Sequence, residues 1–262
     1  MTDTSNDPGR IVPDRIAGVI ARFRATRPRV HCITNAAATS FTANVLLAAG
    51  GVPSMTINPE EVGGFVTSAQ ALLINLGTLD PLRREAIDIA IAVAETERTP
   101  WVLDPVFVDR SPPRLSLART LAERGPNAIR MNADELGALS GLHTGDERDR
   151  TVALALALDT TVARTGSVDF VTNGARTVEI SGGHPLMASV TATGCATTAL
   201  MAGFLSVEHD PVQAATACLA FVKAAAGRAG QGAAGPGSFV PAFLDALHHL
   251  SPETIAETAR IA

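Results

Sequence analysis

The chain has no tyrosine, one tryptophan and only 4% aromatic residues among its 262 positions. Few aromatic side chains are therefore expected in the core. With alanine abundant, the interior must be built from small and branched aliphatic side chains. A basic excess is also missing. The net charge of −5 argues against nucleic acid as a partner, because that needs a basic face. It leaves nucleotides open, since a phosphate site needs local donors rather than a basic whole. Cysteine is scarce and odd in number: Cys32, Cys195 and Cys218 show no CxxC and no Cys/His zinc spacing. That reads as a reducing compartment, not a disulfide framework. Long apolar runs are absent too. The longest candidate, 214–226, carries Lys223, short of the roughly 18 apolar residues of a membrane span. Met1–Arg10 is polar, without the apolar centre of a signal peptide. A cytoplasmic protein is expected, with no membrane partner.

What is present is an alternation. Apolar residues 46% of the time, over a length ordinary for one large α/β sheet, make residues 1–262 read as a single domain with no internal repeat and no linker. Ile11, Val12, Ile16, Val19, Ile20 and Phe23 recur at helical spacing, predicting a helix over 11–25. Strands are expected at 29–33, 52–57, 71–76, 101–103, 128–131 and 161–164, with helices at 41–49, from Pro59, and at 81–97 and 133–139. Leu154, Leu156 and Leu158 alternate with alanine; this segment is taken as a helix end. Asn173-Gly174, between 168–172 and 176–180, signals a hairpin. From Gly194 on, the pattern is entirely helical, in three or four segments, interrupted by a flexible-looking Gly/Ala loop at 227–237. Such alternation predicts a three-layer α/β fold: a mostly parallel central sheet, helices on both faces, and an antiparallel edge hairpin.

In open parallel sheets, ligands bind beyond the carboxyl ends of the strands. Asn35, Gly77, Thr78, Asp104, Asn132, Glu135, Thr165 and Gly166 all follow predicted strands. Any one of them is explained equally well as ordinary strand-end polarity; the set is less easily explained that way. Thr191-Ala192-Thr193-Gly194-Cys195 opens an apolar helix over 196–207. A helix start offers free N–H donors, and glycine lets a bound group approach, which suits a phosphoryl group in transfer. The plain alternative is a threonine cap followed by a structural glycine. Cys195, in the first turn, is where a helix dipole favours thiolate; it is equally a small buried hydrophobe, as Cys32 and Cys218 are expected to be. Asp104 and Glu135 are candidate Mg²⁺ carboxylates, with Glu135 also readable as a first-turn helix carboxylate. His31 and His184 are taken as core histidines.

Several segments in order resemble the hydroxyethylthiazole kinase family of thiamine salvage, within the ribokinase-like superfold. They are His31-Cys32-Ile33-Thr34-Asn35, Thr42-Ala43-Asn44-Val45-Leu46-Leu47-Ala48-Ala49-Gly50, Pro53-Ser54-Met55, Asn75-Leu76-Gly77-Thr78-Leu79 and Leu103-Asp104-Pro105-Val106. Asn132-Ala133-Asp134-Glu135, Thr165-Gly166, His184-Pro185-Leu186-Met187, Thr193-Gly194-Cys195 and Gly235-Pro236-Gly237-Ser238-Phe239 follow. The resemblance implies transfer of the ATP γ-phosphate to the hydroxyethyl oxygen of 4-methyl-5-(2-hydroxyethyl)thiazole. It implies thiazole contacts at Met55 and Gly194, ATP contacts at Arg130 and Thr165, Mg²⁺ near Asp104 and Glu135, and Cys195 where related kinases carry an aspartate base. It also implies a homotrimer with active sites between subunits. The sequence departs from the family pattern at Phe107, Val108, Asp109 and Arg110, where small residues, often glycine, are usual, and at Met131 and Ala192, which replace glycines. Phe107 is expected to narrow the pocket, Met131 to hinder close backbone approach, and Ala192 to crowd its turn if the position has positive φ. Three rivals stay open: a kinase of another small heteroaromatic alcohol, motivated by Phe107 and Met131; an ATP-dependent dehydratase, which related folds carry; and a non-catalytic binding relative, motivated by Ala192. Cys195, where such dehydratases carry aspartate, counts against the second.

Overall fold

The computed structural model describes residues 13–258 and 260–262. Its sheet, among the described residues, has nine strands: β1 (Arg29–Ile33), β2 (Val52–Ser54), β3 (Ala71–Asn75), β4 (Trp101–Asp104), β5 (Ala128–Met131), β6 (Thr161–Arg164), β7 (Val168–Thr172), β8 (Thr177–Ser181) and β9 (Arg260–Ile261). The spatial order is β2-β1-β3-β4-β5-β6-β7-β8-β9. Strands β1 to β6 are parallel, and β7, β8 and β9 add on antiparallel. The chain runs from β1 outward to β2, then returns past β1 to β3. The carboxyl ends of β1 and β3 thus flank a topological switch point, where open sheets hold ligands.

Alternation along the buried strands splits the core in two. Ala71 and Leu73 pack on one side, Leu72 and Ile74 on the other. The first side is covered by α1 (Pro13–Thr26), α2 (Thr39–Ala49), α8 (Thr193–Leu205), α9 (Pro211–Gly230), α10 (Pro236–His249) and α11 (Pro252–Thr258). The second is covered by α3 (Pro59–Ser68), α4 (Pro81–Glu97), α5 (Pro112–Ala122), α6 (Ala133–Ser140) and α7 (Glu147–Leu158). Small residues let helices approach closely. A side chain at Gly203 would meet the Phe23 ring at 2.7 Å, and Phe23 stacks on Phe204 with centroids 4.7 Å apart, fastening α1 to α8. Truncating Phe23 to alanine would cost about 3–5 kcal/mol.

Helix starts follow local chemistry. Asp80 accepts from the Arg83 amide at 2.8 Å with Pro81 next in line, and Asn58 accepts from Glu60 before Pro59 does the same service for α3. A proline there gives up only an N–H that lacks a partner anyway.

Some boundaries differ from expectation. Ile11 and Val12 lie outside the described residues. Helix α2 begins at Thr39 rather than Phe41, and β2 stops at Ser54 rather than Ile57. Helix α5 has no counterpart in the sequence reading; its double proline at 112–113 masks a helix start as a loop. The 227–237 stretch is mostly helical: α9 runs to Gly230 and α10 starts at Pro236. The C-terminal region is not wholly helical either, because β9 pairs with β8. Among the described residues no helix is long and apolar enough to cross a membrane.

Candidate active site

The switch point brings together residues far apart in the chain. Asn75, at the end of β3, donates from Nδ2 to Asp104 Oδ2 at 2.7 Å. Its Oδ1 accepts from the Gly77 amide at 3.0 Å and from Asn35 Nδ2 at 3.3 Å. Asn35 also donates to Cys195 Sγ at 3.2 Å, and Thr198, one turn further along α8, reaches Asp104 Oδ2 at 3.0 Å. Gly77 is required here: a Cβ would lie 2.5 Å from Asn35 Cβ. Asp104 is fully buried, and its Oδ1 has no hydrogen-bond partner. The nearest cation is Arg130, with Nη1 3.8 Å from that oxygen.

Arg130 projects from β5 over the start of α8. A Cβ at Gly194 would meet Nη1 at 2.6 Å and Cζ at 3.0 Å. The α8 cap position is Ala192, in the left-handed region with φ 68°, and no side chain caps the helix. Thr193 instead turns its hydroxyl to the Met187 and Val190 carbonyls at 3.2 and 3.4 Å. The threonine-cap alternative therefore fails, and the first amides of α8 keep their donors free of side-chain partners.

Glu135 caps its own helix reciprocally. Its Oε2 accepts from the Asn132 amide at 2.9 Å, while Asn132 Oδ1 accepts from the Glu135 amide at 2.9 Å. Its Oε1 accepts from the Phe107 amide at 3.1 Å. Burial, and then the neighbouring Asp104, hold the Glu135 carboxyl above its ordinary range. Burial raises Asp104 as well, against the opposing pull of Arg130, Thr198 and Asn75. Two carboxyls that resist ionisation beside one guanidinium make a pocket that favours added positive charge.

Thr165 follows β6, its amide donating to the Met131 carbonyl at 2.8 Å. The adjoining loop continues to Lys223 of α9, whose Nζ meets the Ser167 carbonyl at 3.0 Å. A cleft of about 410 Å³ opens beside it, lined among others by Gly182, Gly183, Lys223 and Arg228. Met55 follows β2 at the same sheet edge, half-buried against the core that includes α8.

Several expectations are corrected. Cys195 is not poised as a thiolate: burial, then the Asp104 charge, push the thiol up to about 11, outweighing its two asparagine bonds. Met131 does not enter the site; it is fully buried on the opposite face with Leu136 and Leu139. Phe107 is 53% exposed, with Arg110 Cζ 5.9 Å from the ring centroid. Its backbone has φ 57°, a conformation that glycine adopts without the Cβ penalty of other residues. His31 is a satisfied core histidine, bonded to Ser54 Oγ at 2.8 Å and the Thr56 carbonyl at 3.2 Å, and burial lowers it to about 4. His184 packs on Phe239 at 5.9 Å. Asn35 and Gly77 were legible as strand-end residues and Asn75 only as part of the 75–79 segment, but Thr198 was not; only its place in the first turns of α8 could have marked it.

A mostly parallel sheet with an antiparallel edge, covered by helices on both faces, is the ribokinase-like fold. A ribokinase-like superfamily protein from Enterococcus faecalis V583 shares it, with TM-score 0.66 at 14% identity over 94% of this chain and 98% of that one. The hydroxyethylthiazole kinase family pattern matches residues 20–253, and the chain belongs to this family. A hydroxyethylthiazole kinase from Yersinia enterocolitica serotype O:8 is 46% identical over 257 residues, spanning 93% of this chain and 98% of that protein. A probable hydroxyethylthiazole kinase from Agrobacterium fabrum is 43% identical over 94% of both chains. The solved hydroxyethylthiazole kinase from Pyrococcus horikoshii OT3 superposes with TM-score 0.91 at 36% identity, over 95% of this chain and 98% of that one.

Proposed function

We propose that this chain is one kinase domain that transfers the γ-phosphoryl group of ATP to the hydroxyethyl oxygen of 4-methyl-5-(2-hydroxyethyl)thiazole. The observation that carries this reading is the uncapped start of α8 beneath Arg130 and beside Asp104, in a member of this family. Phosphoryl transfer asks mainly for positioning and charge stabilisation. The free amides at Thr193–Cys195 receive the equatorial oxygens of the group in flight. Arg130 meets the same charge from the β5 side, and a guanidinium matches phosphate geometry. Thr165 binds ATP from the end of β6, and the adjoining cleft has room for the nucleoside.

The alcohol lies over Gly194, with Met55 against the thiazole ring. Its oxygen forms a bond to the γ-phosphorus as the bond to the ADP oxygen breaks. Cys195, a neutral thiol at physiological pH, orients the alcohol rather than deprotonating it beforehand; a loose transition state tolerates late proton loss.

The unpartnered Asp104 Oδ1, with Glu135 alongside, fits hydrated Mg²⁺, which takes one or two carboxylates and keeps several waters. Bound there, Mg²⁺ supplies charge neutralisation to the nucleotide phosphates. The same reading places the protein in the cytoplasm as a homotrimer; exposed Leu47, Val52 and Phe65 around edge strand β2 support burial of that edge between copies.

The test is ADP release from Mg-ATP with and without hydroxyethylthiazole, with the phosphorylated product weighed by mass spectrometry. Thiazole-dependent release supports the reading; release indifferent to thiazole, from protein that binds ATP, removes it. Light scattering decides the trimer.

A further inference from the structure

Lys223 is the charged residue in the otherwise apolar middle of α9, between buried Phe221 and Val222 on one side and Ala225 and Ala226 on the other. Its side chain is 9% exposed. The ammonium meets the Ser167 carbonyl at 3.0 Å, the Gly166 carbonyl at 3.3 Å and the Gly182 carbonyl at 3.5 Å. Asp169 Oδ2 lies 3.4 Å away, and Asp169 Oδ1 accepts from the Gly166 amide at 2.9 Å. One buried ion pair thus holds both ends of the turn after Thr165. Through Gly182 it also holds the loop after β8, where φ is 115° at Gly182 and 83° at Gly183. A side chain at Gly183 would lie 3.5 Å from Lys223 Cγ, so the loop is seated directly on the lysine stem.

Stability alone does not call for this arrangement. Aliphatic side chains fill such a place as well as or better than a buried ion pair, whose desolvation offsets most of its attraction. What the pair adds is a fixed geometry between the Thr165–Ser167 turn and the Gly182–Gly183 loop, the second of which lines the cleft together with Lys223 itself. We infer that Lys223, with Asp169, is a positioning residue for nucleotide recognition: it fixes the Thr165–Ser167 loop relative to the Gly182–Gly183 loop. This rests on the kinase reading above. The ammonium is occupied by carbonyls and Asp169, so its action on the nucleotide passes through the loops.

The test uses the full chain and three variants: K223M, D169N, and K223M/D169N. The double variant removes both charges together and so avoids leaving one buried alone. It should keep a melting temperature near that of the wild type. Its KM for ATP should rise about tenfold or more, with KM for hydroxyethylthiazole within about twofold. Calorimetric affinity for a non-hydrolysable Mg-ATP analogue should fall by the same factor. D169N should shift ATP in the same direction, although Asp169 does not line the cleft, because it acts on the loop and not on the ligand. Unchanged ATP parameters in the double variant overturn the inference. So does an equal rise for both substrates with a lowered melting temperature, which describes general loosening. A shift in K223M with none in D169N overturns positioning in favour of direct contact. Wild-type protein that releases no ADP with thiazole overturns the kinase reading instead, and the analogue affinities still decide the role of Lys223.

Discussion

Replacing Gly194 by alanine separates activity from stability. The new Cβ would sit 2.6 Å from Arg130 Nη1 and 3.0 Å from Cζ and Nη2. To reach ordinary contact, the guanidinium must retreat by roughly 0.8 Å. It can do so, because it is the end of a flexible side chain and is 15% exposed. The cost in folding is therefore small. Alanine gains about 0.5–1 kcal/mol over glycine inside a helix, which offsets part of the rearrangement. The melting temperature should move by no more than roughly 2–4 °C. Catalysis should suffer far more, since the displaced group leaves the place where the phosphoryl oxygens arrive, and the methyl fills the space the thiazole alcohol needs. A charge-assisted hydrogen bond is worth about 1.5–3 kcal/mol, so kcat/KM should fall about 10- to 150-fold from Arg130 alone. Coupled ADP release and thermal unfolding measure the two effects. Wild-type kcat/KM in a folded Gly194→Ala protein would refute the placement of the phosphoryl group between Arg130 and α8.

Further outcomes follow from the same geometry. Because burial raises the native pKa of Asp104 and Glu135, the native state binds more protons than the unfolded chain; without Mg²⁺, stability should fall as pH climbs from about 4 through those raised values. Added Mg²⁺ should therefore raise the melting temperature more at pH 8 than at pH 5, and an equal shift at both would refute the carboxylate site. With the Cys195 thiol at about 11, its alkylation by iodoacetamide should accelerate about tenfold per pH unit between pH 7 and 10. A plateau near pH 8 would restore the thiolate. Phe107→Gly should stabilise by about 1 kcal/mol or less in urea unfolding, because relief of the left-handed backbone exceeds the added freedom of the unfolded chain; a changed KM for either substrate would show that the ring reaches the site after all.

Much of the architecture is local and was legible. The short apolar run at 71–76, buried throughout Ala71–Asn75, and helical spacing from Ile16 to Phe23 name their elements without reference to the rest of the chain. Pro81 behind Asp80 and the Asn132–Glu135 box mark helix starts by their own hydrogen bonds. Where local signals conflict, the reading failed: two prolines concealed α5, and glycine and alanine made the α9–α10 junction look longer than it is. Strand β9 was invisible for another reason. Two residues carry no period, and their pairing with β8 is a contact between distant segments.

The candidate site divides along the same line. That polar residues collect at strand ends, and that Gly194 opens a helix, follows from the sequence, because both are matters of neighbours in the chain. That Asn35 bridges Asn75 and Cys195, that Arg130 lies over Gly194, and that Lys223 finds Asp169 were decided only by the tertiary structure. Strand order sets which ends meet, and strand order is a long-range choice that no local pattern records. Protonation was decided there too: the helix start alone favours a Cys195 thiolate, but burial and the Asp104 charge reverse it, since removing a group from water outweighs a partial dipole.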